Sequence, residues 1–219
     1  NFGFTSGKAK KAGPSKKWTE REIQAKLAEF DAKIEEAKER EGDVEVRDAI
    51  LDKAEWIKDE ARDYPQAERI FREAYEMSGG ASRKMEILFN VILMNLEKYD
   101  MEALKKDVAT CKKLVEEGAD WDKKNKLKIF EGVYLMLIRD FKKASELLLS
   151  SIATFTAVEL LEYQEFIFYA VVMGLLTQDR RTIKKEIIHS PDVLSVIRDI
   201  PHLRQFTESF YACEYKKFF

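Results

Sequence analysis

Two histidines and two cysteines are the side chains best suited to nucleophilic or metal chemistry in this sequence of 219 residues. His189 stands in IIHSP and His202 in IPHLR, and Cys213 follows His202 by 11 residues. A cysteine beside a histidine can act as an activated nucleophile. On a predicted helix, however, this spacing corresponds to about three turns, so the two side chains do not meet. Packing or helix capping is therefore the favoured role of both histidines.

Other motifs of catalysis and cofactor binding are missing from the sequence. It contains no HExxH, no CxxC pair, no EF-hand loop, no GxGxxG and no P-loop. The segment SGGAS at 78–82 follows no predicted strand, so it is interpreted as a turn between helices and not as a phosphate-binding loop. No credible set of zinc ligands is present. We therefore expect no catalytic residue, no metal site and no cofactor, and a protein that is not an enzyme.

The composition indicates helices with long solvated faces. Charged residues make up 36% of the chain and hydrophobic residues 45%, whereas only 9 Gly and 4 Pro occur, which disfavours an all-β fold. Carboxylates alternate with lysine and arginine, a pattern that forms i,i+4 ion pairs on exposed helix faces. No pair of catalytic carboxylates can be distinguished from that background.

The net charge of −2 is unevenly distributed, because residues 1–17 contain five lysines and no acidic residue. A basic tail can bind nucleic acid or an acidic partner. Its Gly/Ser/Lys composition nevertheless favours a flexible leader, which we assign to residues 1–18, with no nucleic-acid partner. Cys111 and Cys213 do not suggest a disulfide framework, which predicts location in the cytoplasm and nucleus. No apolar stretch reaches the roughly 18 to 20 residues of a membrane span.

The elements that position these residues are predicted to be helices. Residues 19–42 form a long charged helix, in which Thr19 and Glu22 have the spacing of a capping box. Its thin apolar stripe, Ile23, Leu27, Phe30 and Ile34, is a candidate contact surface.

Residues 43–219 are predicted to form one tetratricopeptide-like helical-repeat domain. The predicted helices span 44–61, 63–78, 82–97, 100–117, 122–138, 141–152, 157–176, 179–189, 191–199 and 202–217. Their pairing predicts an all-α fold, a right-handed α-solenoid of tetratricopeptide-like helical hairpins.

A repeated cue supports this assignment. RDYPQAERIFR begins at residue 62 and RDFKKASELLL at residue 139, and both contain Arg-Asp, an aromatic residue, two variable residues and Ala. The aspartate is expected to cap the second helix of a hairpin, the aromatic to fix the turn to the core, and the alanine to leave room for the partner helix. A degenerate copy, KYDMEA, lies between them. The assigned structural repeat positions are Asp63, Tyr64, Ala67, Ala103, Gly132, Asp140, Phe141 and Ala144.

Aromatic residues concentrate in two places. Those in 154–172 (Phe155, Tyr163, Phe166, Phe168 and Tyr169) have a spacing that fits either a core stripe, which we favour, or a ligand groove. The last ten residues contain Phe210, Tyr211, Tyr215, Phe218 and Phe219. A solenoid is expected to end in a polar cap, so this aromatic terminus predicts that the natural protein continues.

Three segments carry a resemblance to a known family. EEGADWDKKNKLKIFEGVYLMLIRDFKKASELLLSSIATFT at 116–156 resembles the lid subunits of the 26S proteasome regulatory particle in the non-ATPase regulatory subunit 6 family. GDVEVRDAILDKAEWI at 42–57 and IPHLRQFTESFYACEYKKFF at 200–219 are similar to the same family. The resemblance extends from about residue 20 to the end of the chain.

This resemblance implies a non-catalytic scaffold that supports ATP-dependent degradation of ubiquitinated proteins through protein–protein contacts. It implies a helical-repeat segment followed by a PCI domain that this chain lacks. The implied partners are other lid subunits, with base subunits as a further candidate, and neither nucleic acid nor a membrane. Two alternatives stay open: a scaffold like subunit 1 of the signalosome, and an independent tetratricopeptide-type adaptor that binds peptides through a carboxylate clamp.

Overall fold

The computed structural model describes residues 18–40 and 42–218, and all regular structure in these residues is helical, without a β-strand. The predicted all-α helical-repeat class is thereby confirmed, while its right-handed sense stays a prediction. The α-helices are α1 (Glu20–Arg40), α2 (Asp43–Trp56), α3 (Tyr64–Met77), α4 (Ala81–Lys98), α5 (Met101–Glu116), α6 (Trp121–Leu137), α7 (Phe141–Ser150), α8 (Tyr163–Thr177), α9 (Arg180–Thr182), α10 (Pro191–Val196), α11 (Leu203–Ala212) and α12 (Tyr215–Phe218).

The described chain divides into two compact units, the first unit at residues 18–123 and the second unit at residues 124–218. The predicted leader lies outside the described residues except for Trp18. The predicted division at residues 42 and 43 into a separate helix and one repeat domain stays a prediction.

Helix α1 begins with the predicted capping box. The backbone N–H of Thr19 donates to the Glu22 carboxylate at 2.9 Å, and the N–H of Glu22 donates to the Thr19 hydroxyl at 3.4 Å. This exchange satisfies two N–H groups that have no partner within the helix. The helix therefore starts where the sequence predicts.

The apolar stripe of α1 packs inside the first unit. Ile34 is buried in its core and Leu27 packs against that core. The ring of Phe30 lies 5.9 Å from that of Trp56, which also meets the ring of Trp18 at 5.3 Å. Ile34 is therefore buried, whereas Ile23, Leu27 and Phe30 are half-buried, and the role of this stripe as a contact surface stays a prediction.

A π-helical segment, Ile57–Ala61, continues α2. Within it, Lys58 is largely buried, donates to Asn90 Oδ1 at 2.6 Å, and lies 5.9 Å from the centre of the Phe71 ring. Arg62 then adopts left-handed backbone geometry with φ 54° and ends the segment. The predicted extent of this helix is right, but its π geometry was not predicted.

In the second unit, α8 packs closely against its neighbours. A Cβ at Gly174 would lie 2.7 Å from Ile187 Cδ1, so glycine lets α8 approach the π-helical segment Ile183–Ile188. The hydroxyls of Ser145 on α7 and Thr177 at the end of α8 lie 2.7 Å apart, within hydrogen-bond distance. Helix α8 is therefore in contact with both α7 and the π-helical segment.

The helix predicted at 157–176 begins later, at Tyr163. The backbone of Phe155 is extended, and its ring packs 5.3 Å from that of Tyr163 and 4.7 Å from that of Phe166. Ala157, Leu160 and Leu161 are buried without forming a helix. The apolar residues of this segment therefore reflect tertiary packing and not helical periodicity.

The helix predicted at 202–217 is interrupted. Cys213 has a φ of 60° and ends α11, and α12 begins two residues later. The rings of Phe206 and Phe210 on α11 pack against Phe218 on α12, with centroids 4.7 and 5.6 Å apart. This aromatic contact accompanies the change of direction at Cys213.

Candidate functional site

In the part of the chain that the structure describes, an aspartate cap preceded by a left-handed residue opens three helices, α3, α5 and α7. The carboxylates of Asp63, Asp100 and Asp140 accept hydrogen bonds from the backbone N–H three residues further on, at 3.1, 3.0 and 3.4 Å. The residue before each aspartate has left-handed backbone geometry; these residues are Arg62, Tyr99 and Arg139. The repeated unit is therefore a left-handed residue followed by an aspartate N-cap.

The small residues keep a fixed distance from these caps, with one exception. Ala67 and Ala144 lie four residues after their aspartates and are fully buried. The residue four places after Asp100 is Leu104, which is also fully buried, whereas Ala103 is half-buried. The assignment of Ala103 to this repeat position is therefore shifted by one residue. The position of the aspartate cap is thus the same in all three turns, whereas the small side chain four residues later is not.

The aromatic positions Tyr64 and Phe141 are the first residues of α3 and α7, and both are half-buried. The Tyr64 hydroxyl donates to the Glu97 carboxylate near the end of α4. Burial and this hydrogen bond raise the pKa of Tyr64 to about 12. Tyr64 therefore stays protonated at neutral pH and links α3 to α4.

Gly132 lies where α6 crosses α7. A Cβ at this position would lie 2.8 Å from Leu148 Cδ2 and 3.0 Å from Leu148 Cγ. It would also lie 3.8 Å from the backbone oxygen of Ala144. Gly132 and Ala144, predicted from their spacing, thus lie on facing sides of this crossing.

A buried polar cluster connects α3, α4 and α5 in the first unit. Its centre is Asp107, only 3% exposed, which accepts from Asn95 Nδ2 at 3.0 Å and from Arg72 Nη2 at 3.2 Å. Arg72 also donates to Glu68 at 3.0 Å. Burial raises the pKa of Asp107, while the interactions with Arg72 and Asn95 oppose that rise.

Asp107 is not among the residues predicted from the sequence, because abundant carboxylates indicate solvated helix faces. The sequence nevertheless contained a signal of its burial. Asp107 lies on the same face of α5 as the apolar residues Leu104, Val108 and Cys111. A carboxylate at a core position requires hydrogen-bond partners. Asn95, within the apolar centre of α4, gave the matching signal.

A shallow groove borders this cluster, and its chemistry bears on the carboxylate-clamp alternative. The groove is lined by Asp63, Pro65, Gln66, Glu68, Arg69, Arg72 and Lys98. Two of its three cations, Arg72 and Lys98, already contact the Glu68 carboxylate, each at 3.0 Å. A clamp for a peptide carboxylate needs cations directed at the ligand. Here the chain itself supplies the anion.

Of the two candidate nucleophiles, Cys111 is buried and Cys213 is exposed. Burial raises the pKa of the Cys111 thiol to about 12, so it stays protonated at neutral pH. His202 precedes and Cys213 follows the ten residues of α11, which places their backbones about 15 Å apart. His189 ends the π-helical segment before α10.

Neither a metal-binding cluster nor a membrane-spanning helix occurs in residues 18–40 and 42–218. These residues contain no group of three or more His, Cys, Asp or Glu arranged to hold a metal ion. None of the helices they form is long and apolar enough to cross a membrane.

The aromatic residues of 154–172 lie in two different environments. Phe155, Tyr163 and Phe166 form one packed group, in which Phe166 is fully buried. Phe168 is instead 40% exposed and contacts Tyr169 edge-on at 5.6 Å. The favoured core interpretation holds for the first group, and Phe168 belongs to the surface of α8.

The chain is similar to known proteasome subunits. The family model described as 26S proteasome subunit RPN7 matches residues 16–186. This range includes the three capped turns, the polar cluster and the crossing at Gly132.

Three curated relatives show the same similarity. The chain is 37% identical over 197 residues to the 26S proteasome non-ATPase regulatory subunit 6 of Oryza sativa subsp. japonica, covering 90% of this chain and 50% of the relative. It is 38% identical over 212 residues to the protein of that name in Dictyostelium discoideum, with coverages of 93% and 55%. It is 39% identical over 196 residues to the Arabidopsis thaliana homolog, with coverages of 88% and 50%. The chain thus spans about half the length of the relatives it matches.

Proposed function

Since the chain belongs to the family of the 26S proteasome subunit RPN7, we propose that it is part of a non-catalytic scaffold subunit of the proteasome regulatory particle lid. It supports ATP-dependent degradation of ubiquitinated proteins through contacts with other lid subunits and with base subunits. The family match over residues 16–186 carries this proposal. The relatives are named as non-ATPase regulatory subunits, which agrees with a role without catalysis.

The packing within each of the two units supports a role in positioning partners. A scaffold must hold its surfaces in a defined geometry, and buried polar groups with satisfied partners restrict alternative packings. The cluster around Asp107 supplies such a restriction in the first unit, and the contact of Gly132 with Leu148 supplies one in the second. Neither requires a reactive group.

The proposed location follows from the proposed function. We place the protein in the cytoplasm and nucleus. Fluorescence microscopy of the tagged full-length protein checks this, and retention in another compartment contradicts it.

Affinity purification of the tagged full-length protein from its source tests the assignment to the lid. We expect lid and base subunits in stoichiometric amounts by quantitative mass spectrometry. Recovery of signalosome subunits instead, or of no proteasome subunit, contradicts the proposal. A matched purification of the 219-residue chain alone shows which contacts this part makes without the rest of the protein.

A further inference from the structure

Ser190 lies between the π-helical segment Ile183–Ile188 and α10, and Pro191 is the first residue of α10. Pro191 is the only one of the four prolines in the sequence that follows a serine or a threonine. Serine at the N-cap and proline at the first helical position form an ordinary helix start. In such a start the serine hydroxyl accepts a hydrogen bond from a backbone N–H of the first turn, so the Ser190 hydroxyl is expected to cap α10.

The Ser190 hydroxyl does not cap α10. It makes no hydrogen bond to any residue in the described ranges 18–40 and 42–218. The other seven serines in these ranges all have a hydroxyl that takes part in a hydrogen bond. Ser190 is partly exposed, its backbone is extended with φ −71° and ψ 119°, and both His189 and Pro191 are exposed. A hydroxyl without a partner in an exposed turn is open to chemical modification.

A basic surface depression lies beside this turn. It is lined by Arg181, Lys184, Lys185 and His189. His189 directly precedes Ser190, and its backbone N–H donates to the Lys184 oxygen at 3.0 Å, so the depression extends to the residue before the serine. Arg181 and Lys184 form no ion pair with the residues that the structure describes. The depression therefore presents cations that have no anion of their own.

The acidic residues nearest in sequence do not neutralise this depression. Asp179 caps α9. Asp192 lies near α8, since burial and the Asp192 carboxylate raise the pKa of Tyr163. Glu186 lies 2.8 Å from Lys185, but both side chains are exposed, so water weakens this pair. A surplus of positive charge therefore remains beside the unbonded serine hydroxyl.

We propose that Ser190 is a phosphorylation site for a proline-directed protein kinase, and that the basic depression binds the phosphate. In the transfer, the Ser190 Oγ attacks the γ-phosphorus of a nucleoside triphosphate held by the kinase. The Oγ–P bond forms, the bond from that phosphorus to the oxygen of the β-phosphate breaks, and a nucleoside diphosphate leaves. The hydroxyl proton passes to a carboxylate base of the kinase. This inference concerns a modification and does not rest on the proposed function.

A phosphate on Ser190 changes the interactions of the turn. At neutral pH it carries about −1.5 to −2 charges and three strong acceptor oxygens. Lys184 and Lys185 have flexible four-carbon side chains that can turn toward it, and the planar Arg181 guanidinium can donate two hydrogen bonds to one phosphate. Phosphorylation is therefore expected to hold the start of α10 more firmly against the end of the π-helical segment.

Treatment of the purified full-length protein with kinases tests the site. The protein is incubated with ATP, Mg²⁺ and proline-directed kinases of the cyclin-dependent and mitogen-activated classes, and mass spectrometry locates the phosphate. We expect phosphate on Ser190, a rate lower by at least about tenfold in Pro191→Ala, and an unchanged rate in the control Ser195→Ala, whose serine is also exposed on α10. Circular dichroism checks that each variant keeps its fold. No phosphate on Ser190, or an equal rate in Pro191→Ala, overturns the proposal.

Hydrogen exchange tests whether the depression binds the phosphate. Phosphoserine is incorporated at position 190 during synthesis of the full-length protein, so that the comparison does not depend on a kinase. We expect exchange in peptides from 180–196 to be at least about threefold slower than with serine, and the difference to shrink at high salt. Lys184→Glu/Lys185→Glu should remove most of this slowing, whereas the same charge change at exposed lysines elsewhere in the unit, Lys142→Glu/Lys216→Glu, should keep it. No slowing, or equal slowing in both variants, overturns the assignment of the depression.

Discussion

The two units hold their helices together by different means. In the first unit a buried carboxylate, Asp107, joins α3, α4 and α5 through Arg72 and Asn95. In the second unit α6 and α7 meet where Gly132 faces the apolar side chain of Leu148. A polar junction depends on hydrogen-bond geometry and protonation, whereas an apolar junction depends on volume. Substitutions at the two junctions should therefore fail in different ways.

The largest effect is expected for Leu148→Ala. Leu148 is fully buried at the α6–α7 crossing, so its truncation leaves a cavity that costs about 2–5 kcal/mol in free energy of unfolding. Hydrogen exchange should show faster exchange in peptides from 124–218 and unchanged protection in 18–123. Leu176→Ala is the matched control, because Leu176 is largely exposed and its loss should cost less than about 0.5 kcal/mol. Equal loss of protection in both units would show that they unfold together.

The next effect is expected for Asp107→Ala in the first unit. The buried amide of Asn95 loses its acceptor, while Arg72, which is partly exposed, can turn to water. An unsatisfied buried donor costs about 1–3 kcal/mol. Urea unfolding measures the loss, and hydrogen exchange should place it in peptides from 18–123. The control is Asp107→Asn with Asn95→Asp, which keeps one donor and one acceptor; no recovery of stability would contradict the hydrogen-bond explanation.

A smaller cost is expected for Gly132→Ala. The added methyl group meets Leu148 Cγ and Cδ2, and overpacking of this kind costs about 1–3 kcal/mol, partly offset by about 1 kcal/mol of helix propensity. Gly79→Ala is the control, because no atom lies within 4 Å of its Cβ position. Thermal unfolding should therefore show a lower Tm for the first variant only. A double variant with Leu148→Ala should cost less than the two single changes together, since one relieves the other.

Removal of a cap should have a similar or smaller effect. Asp63→Ala deprives the N–H of Gln66 of its side-chain acceptor, which typically costs about 1 kcal/mol. Asp63→Ser retains an acceptor and should restore most of the loss in chemical unfolding. If serine were as destabilising as alanine, the role of Asp63 as a cap would be refuted.

The smallest effect is a dependence on pH. Burial raises the pKa of Asp107 above its ordinary value of 3.8, so folding favours the protonated carboxyl group. The resulting contribution to the free energy of unfolding is fully present below pH 3.8. The contribution is lost as the pH rises through the folded pKa. The stability of Asp107→Asn relative to the unchanged protein should therefore increase from about pH 3 to pH 6, as measured by urea unfolding. A constant difference across this range would mean that Asp107 does not titrate with a raised pKa.

Much of the helical order follows from local signals in the sequence. The capping box at Thr19 and the aspartate caps mark helix starts because their side chains satisfy backbone N–H groups a few residues away. The late start of α8 could not be predicted from local signals. It depends on the packing of Phe155 against Phe166, a residue 11 positions further along the chain. The register of the middle repeat was also misplaced, since Leu104 occupies the position where the other two repeats have alanine.

The surfaces were harder to predict than the helices. The stripe of α1 was expected to be exposed, but Ile34 is buried and Leu27 packs against the core; Phe168 was expected in the core, but its side chain is 40% exposed. Periodicity shows which residues share a face, yet it does not show which neighbour covers that face. Only the packing of α1 on α2, and of α8 on α7, decides between these outcomes.

The two π-helical segments, Ile57–Ala61 and Ile183–Ile188, have an evolutionary consequence. A single inserted residue turns everything beyond it by about 100° in a regular α-helix and would expose a buried face. A π turn absorbs one extra residue locally, so the flanking faces keep their orientation. We therefore expect a change of one residue in length to be tolerated better in these two segments than in α4 and α5, which share the buried carboxylate.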